Sequence, residues 1–314
     1  MQIKRISAIS LRAGDFDDIA CKEREAVRWL EAAAERGSDL AVFPEAFNVY
    51  RGDGPDNPRR ITPAEAAFDD PAPLRRLRGR AVELGMALSL CVYLREAGKI
   101  LNAMLLYGAC GRLLGRYIKR NPTLGELEEG VAIGEDDQPL IDWDGIKVGC
   151  AICFDVQFEE VFADQAGKGA RLMLIPSLCP GGTLLDAYAL KYSLPMALAY
   201  GAWSRILDYA GRELAAHGYR SEAVGFGYFE PLATADVNFD FGVYHLDDNH
   251  RLVKPILKKY GDCLEYLPDT ANSVFSMASL RPEVTVAAVE AEFGLEPLRD
   301  FLPRFRRRKL DFAK

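Results

Sequence analysis

Long apolar runs, histidine and surplus positive charge are all scarce in this 314-residue chain. Apolar residues make up 49% of it, yet no uninterrupted apolar stretch is long enough to cross a bilayer, so the chain reads as a globular protein without a membrane partner. Only His217, His245 and His250 are present, all in the last third, which argues against a histidine-rich metal site and a Cys-His hydrolase. Lysine and arginine number 39 against 46 acidic residues, a formal charge of −7. A general nucleic-acid binder would need the opposite balance. The one basic run, Arg304 to Lys309, reads as a solvated end or a subunit contact. Seven cysteines, an odd number scattered through apolar segments, suit reduced thiols better than a disulfide framework. Tandem repeats and low-complexity segments are missing too. Met1 to Ile9 enters a strand pattern at once with no cleavable signal architecture, so the expected location is the cytoplasm. No cofactor or metal is implied.

What is present is an alternation of strand and helix signals, the mark of an α/β unit. Residues 2–11 read as a strand, 17–36 as an amphipathic helix stopped by Gly37, and 39–43 as a strand ending in Pro44-Glu45. A Pro- and Gly-rich loop, 48–63, is long enough to shape a pocket. A helix at 71–85 and strand runs at 86–94, 100–107 and 112–119 follow, the last delivering Lys119 on the same face as Tyr117. Strands at 139–143 and through Cys150, a helix at 156–168, a strand at 171–176, a helix at 183–194 and strands within 196–208 and 222–229 complete the regular part. From 236 onward regularity weakens, so the expected division is a domain over 1–235 and a C-terminal extension over 236–314 without an obvious core, suited to subunit contacts.

The stretch Lys147-Val148-Gly149-Cys150-Ala151-Ile152-Cys153-Phe154-Asp155 is the centre of this pattern. A buried strand gives way there to a helix, placing Cys153 at an elbow. Helix-opening N–H groups lack partners, so they lower a thiol's pKa and can hold an oxyanion. Cys150, three residues earlier, points to the opposite face of the strand and belongs to the core.

Glu45, Lys119 and Cys153, in the contexts Phe43-Pro44-Glu45, Tyr117-Ile118-Lys119 and Cys153-Phe154-Asp155, each follow an apolar strand and occur in that order. Together with the Gly211-Arg212-Glu213-Leu214-Ala215 segment they resemble the nitrilase superfamily of carbon–nitrogen hydrolases. The resemblance implies a four-layer α-β-β-α sandwich and subunits that pair, at least as a homodimer. It also implies a second glutamate after the lysine, best matched by Gly125-Glu126, with Glu128 in reserve. Departures occur at Arg120-Asn121-Pro122, Phe158-Glu159-Glu160 and Pro195-Met196, where the family often has a His, Phe-Pro-Glu and Glu-Asn.

The chemistry suits these residue types. A free thiol near pKa ~8.5 is mostly protonated at neutral pH, and ionising it costs about 2 kcal/mol. Glu45 as base and Lys119 as cation meet that cost. Lys119 and the N–H of Phe154 then hold the oxyanion, and a thioester on Cys153 is hydrolysed by water. Asp155 resembles the amidase and carbamoylase branches, so the expected substrate is a small amide or N-carbamoyl compound. A nitrile substrate, an amide-forming acyltransferase and a catalytically silent binding or assembly member are the alternatives. Tyr50, with Phe47 and Arg51, and Ser177 in the 177–182 loop are expected to line the pocket.

Overall fold

The computed structural model describes residues 2–11, 16–51, 60–70, 74–218 and 231–312. The chain order begins β1 (Ile3–Ile9), α1 (Ile19–Glu35), β2 (Leu40–Val42), α2 (Pro63–Ala66), α3 (Arg75–Glu83), β3 (Ala87–Glu96), β4 (Lys99–Tyr107), β5 (Leu113–Ile118) and α4 (Leu124–Glu128). It continues β6 (Ile141–Trp143), β7 (Ile146–Cys150), α5 (Glu159–Gly167), β8 (Leu172–Ser177), α6 (Gly182–Tyr192), β9 (Met196–Tyr200), β10 (Trp203–Leu207), β11 (Glu213–Gly218) and β12 (Leu232–Asn238). It ends β13 (Phe241–His245), α7 (Leu246–Tyr260), β14 (Leu264–Asp269), β15 (Val274–Ser279), α8 (Val286–Phe293) and α9 (Leu298–Phe312).

Two six-stranded sheets form the body, in the orders β12-β1-β2-β3-β4-β5 and β11-β10-β9-β8-β7-β6. Each has a parallel centre, β1-β2-β3 in one and β7-β8-β9 in the other, flanked by antiparallel neighbours. Side-chain alternation assigns the layers. On β8, Leu172 and Leu174 face the other sheet, where they join Val42, Cys91 and Met104, while Met173 and Ile175 face helices. On β2, Leu40 and Val42 face inward, and Ala41 meets the helical layer with Ala26, Leu30 and Leu77. Helices α1 and α3 thus cover one sheet, α5 and α6 the other, and the product is the four-layer α-β-β-α sandwich.

Local chemistry sets the boundaries. Asp18 caps α1 by accepting the Cys21 N–H at 2.6 Å, and Gly37, at φ +73°, turns the chain out of it. The helix expected over 156–168 is in two parts, a 3₁₀ turn over Cys153–Gln157 and α5, because Phe158 is extended (φ −111°, ψ 99°). The strand expected at 222–229 lies outside the described residues, and β11 edges the second sheet instead.

Beyond the sandwich the chain is more regular than its sequence pattern suggests. β12 pairs along the whole of β1 up to Asn238. A three-stranded sheet, β13-β15-β14, then packs with α7 and α8 around Tyr244, Ile256, Phe275, Met277 and Val289. Among the described residues no helix is long and apolar enough to cross a membrane.

Candidate active site

Strand ends from both sheets converge on one pocket of about 650 Å³ whose walls include Glu45, Lys119, Glu126 and Cys153. Glu45 follows β2 by three residues, and the chain there is pinned to β3 by Phe43 N–H to Ser89 O (3.1 Å) and Phe47 N–H to Cys91 O (2.8 Å). Lys119 follows β5, its N–H donating to Asn102 O at 2.9 Å. Glu126 opens α4 in a capping box: Thr123 Oγ1 accepts its N–H, and its own Oε2 accepts the Thr123 N–H at 2.8 Å. A capping bond of this kind fixes a carboxylate as well as a helix end.

These three side chains meet. Lys119 Nζ donates to Glu45 Oε1 at 2.7 Å and to Glu126 Oε2 at 2.7 Å. Asn102 Nδ2, from β4, donates to Glu45 Oε1 and Glu126 Oε1, each at 2.8 Å, and the Tyr93 hydroxyl donates to Glu126 Oε1 at 3.1 Å. Glu126 is therefore the glutamate that the fold brings to Lys119, while Glu128 is exposed. The second oxygen of Glu45 is buried and forms no hydrogen bond that meets ordinary geometry among the described residues; Lys119 is the main group that favours its ionised form, and the Cys153 thiol adds to it.

The elbow is built by its neighbours. Gln165 on α5 acts as a surrogate strand for the end of β7, accepting the Cys150 N–H and donating to Cys150 O, both at 2.7 Å. This close approach requires Gly149, since a Cβ there would lie 2.5 Å from Gln165 Oε1. Cys150 itself is buried between the sheets. Cys153 then adopts φ +48°, a left-handed conformation costing a non-glycine residue about 1–2 kcal/mol. Asp155 supports that turn. Its carboxylate accepts from Ile152 N (3.0 Å), Asn121 N (2.8 Å), Asn121 Nδ2 (2.9 Å) and the Tyr117 hydroxyl (3.0 Å). One side chain thereby ties the elbow to the segment following Lys119.

Charges in this enclosed place are strongly coupled. Burial pushes Glu45 up, against the pull of Lys119. Burial also opposes the Lys119 cation, but Glu45 and Glu126 outweigh it and keep the ammonium charged. Glu126 is held below its ordinary value because Lys119 and its hydrogen bonds override burial. Cys153 departs from expectation: its thiol is pushed up, first by a hydrogen bond to Cys179, then by burial and Glu45. A thiol held protonated in this way needs a base to take its proton before it can act as a nucleophile.

The remaining expected residues stand apart from the pocket lining. Phe154 is partly exposed and packs edge-on against Phe158, and its N–H is one of the donors that open the 3₁₀ turn. Tyr50 lies beneath the Arg51 guanidinium, with its carbonyl accepting from Phe16. Ser177 is buried and bonded to Cys179. The walls include Val49, Ile61, Leu178 and Tyr200, with the ion pair Arg60–Glu129 at 2.5 Å. Asn102, Tyr93 and Arg60 carry no motif in the sequence.

Residues 18–200 match the carbon-nitrogen hydrolase family model. The chain is 34% identical over 142 residues to a Pseudomonas protegens protein described as "hydrolase in pqqF 5′ region", covering 45% of this chain and 48% of that one. It is 28% identical over 225 residues to the deaminated glutathione amidase of Escherichia coli O157:H7, covering 65% and 84%, and 27% identical over 167 residues to omega-amidase NIT2-A of Xenopus laevis, covering 48% and 55%. It spans about half the length of most curated relatives it matches. An amidase from Nesterenkonia sp. shares the fold, with a TM-score of 0.59 at 24% identity over 80% of this chain and 95% of that one. The Caenorhabditis elegans NitFhit protein does so at 0.62 and 19%, covering 82% and 65%. The extent of the family match and the shared four-layer fold identify the chain as a member of the carbon-nitrogen hydrolase family, the nitrilase superfamily.

Proposed function

We propose that this chain hydrolyses the carbon–nitrogen bond of a small amide or N-carbamoyl compound through a thioester on Cys153. The observation that carries this reading is the Lys119 ammonium bonded at 2.7 Å to both Glu45 and Glu126 in the pocket that holds Cys153. With Lys119 charged, moving the thiol proton to Glu45 relocates one negative charge without creating another.

Cys153 Sγ attacks the carbonyl carbon as Glu45 Oε2 takes the thiol proton. Lys119 and the Phe154 N–H stabilise the oxyanion, a role worth about 10²–10³ in rate per donor. Glu45 returns its proton to the departing nitrogen, which leaves as ammonia or an amine. It next takes a proton from water attacking the thioester, and returns that proton to sulfur as the acid departs. Glu126 holds Lys119 in place and faces the substrate nitrogen. The Arg60–Glu129 pair gives the far wall both signs of charge, which fits a substrate with a polar tail.

Ammonia and acid measured over a panel of amides, N-carbamoyl compounds and nitriles test the reading. Equimolar acid and ammonia or amine from an amide or carbamoyl compound support it. Turnover of nitriles alone, or transfer to an added amine without hydrolysis, rejects it.

A further inference from the structure

Cys179 is a second thiol in contact with the site, and the amide chemistry gives it no task. It lies two residues beyond β8 with its Sγ 3.9 Å from Cys153 Sγ. Ser177 fixes the turn that presents it: its Oγ accepts the Cys179 N–H at 2.9 Å, donates to Cys179 O at 2.7 Å and stands 3.4 Å from Sγ. Both residues are half-buried, whereas Cys91 and Cys150 are buried.

We infer that Cys153 and Cys179 form an oxidation site for hydroperoxides, closing a reversible disulfide that takes the catalytic sulfur out of use. The assignment of an inhibitory effect rests on Cys153 being the nucleophile; the disulfide itself does not. The sulfurs have to close from 3.9 Å to about 2 Å.

The electrostatics favour attack from Cys179. The hydrogen bond from Cys153, with the Gly181 N–H, holds its pKa down against burial, which favours a thiolate on Cys179 over one on Cys153. That thiolate attacks one peroxide oxygen, breaking the O–O bond to give a sulfenic acid and, with a proton, water from hydrogen peroxide or an alcohol from an organic hydroperoxide. Cys153 sulfur then attacks the sulfenic sulfur. The S–S bond forms as hydroxide leaves with the Cys153 proton as water. Two thiols lose two hydrogens and one hydroperoxide is reduced.

The test treats the full chain with hydrogen peroxide, maps unreduced peptides by mass, and assays amide hydrolysis before oxidation, after it, and after dithiothreitol. The expected result is a Cys153–Cys179 cross-linked peptide, activity lost in proportion to it, and recovery with dithiothreitol. In Cys179→Ser the attacking thiolate is gone, so no cross-link should form and hydrogen peroxide should inactivate the variant more slowly than the wild type. Oxidised wild-type chains with Cys153 and Cys179 uncrosslinked, or a variant inactivated as fast as the wild type, overturn the inference. If the reduced protein hydrolyses no amide, the functional reading fails, and the peptide map still decides the disulfide.

Discussion

Lys119 Nζ and Glu45 Oε1 are 2.7 Å apart with both side chains sealed from solvent, at 1% and 2% exposure. A buried pair of this kind returns little net stability while intact, and loss of one partner is expensive. Lys119→Ala strands Glu45 opposite Glu126. The expected result is loss of amide hydrolysis together with about 3–5 kcal/mol of destabilisation, read from urea unfolding. A variant as stable as the wild type would contradict a charged Lys119 at the centre of the cluster.

The pH profile follows from Glu45. The proposed base acts ionised, and burial raises its pKa above the ordinary 4.5, so activity should fall on acidification at a higher pH than a free glutamate would dictate. Lys119 is pushed up and Glu126 down, so neither sets that limb. kcat/KM measured against pH checks this, and an acid limb at or below the free-glutamate value counts against Glu45 as base.

Asn102 joins two carboxylates whose chain positions are 57 and 24 residues away. Asn102→Ala should lower kcat more than it raises KM, because it acts by positioning Glu45 and Glu126. Hydrogen bonds to charged groups contribute about 1.5–3 kcal/mol each. Its acid limb should also move up in pH as a donor that favours the carboxylate is lost. A change in KM alone would assign Asn102 to substrate contact.

The elbow offers a test through backbone strain. Cys153→Gly and Cys153→Ala both lack the sulfur, but only alanine retains the cost of φ +48°. The glycine variant should be the more stable by about 1 kcal/mol, measured by thermal or urea unfolding. Equal stability would mean that the left-handed turn is not held in solution.

The legibility of this site in the sequence has a physical pattern. Glu45, Lys119 and Cys153 each interrupt an apolar strand at its end, where polar residues stand out. Asn102 and Tyr93 sit within β4 and β3, where alternation makes an inward polar side chain look like one more strand residue, and their partners lie on other elements. Cys179 reads as one loop residue among prolines and glycines until β7 and β8 are paired in space. The C-terminal sheet escaped because its short strands mix aromatic core positions with Asp, Asn and Lys. Its centre, Tyr244 and Phe275, forms only when β13 meets β15 across the intervening α7 and β14.

Intact-mass trapping on Cys153 tests the central claim most directly. With an amide that is turned over, rapid acid quench should capture a chain heavier by the acyl group less one hydrogen. The increment should map to the Cys153 peptide and be absent from Cys153→Ala. Turnover in Cys153→Ala, or an acyl group found on another residue, would contradict the account.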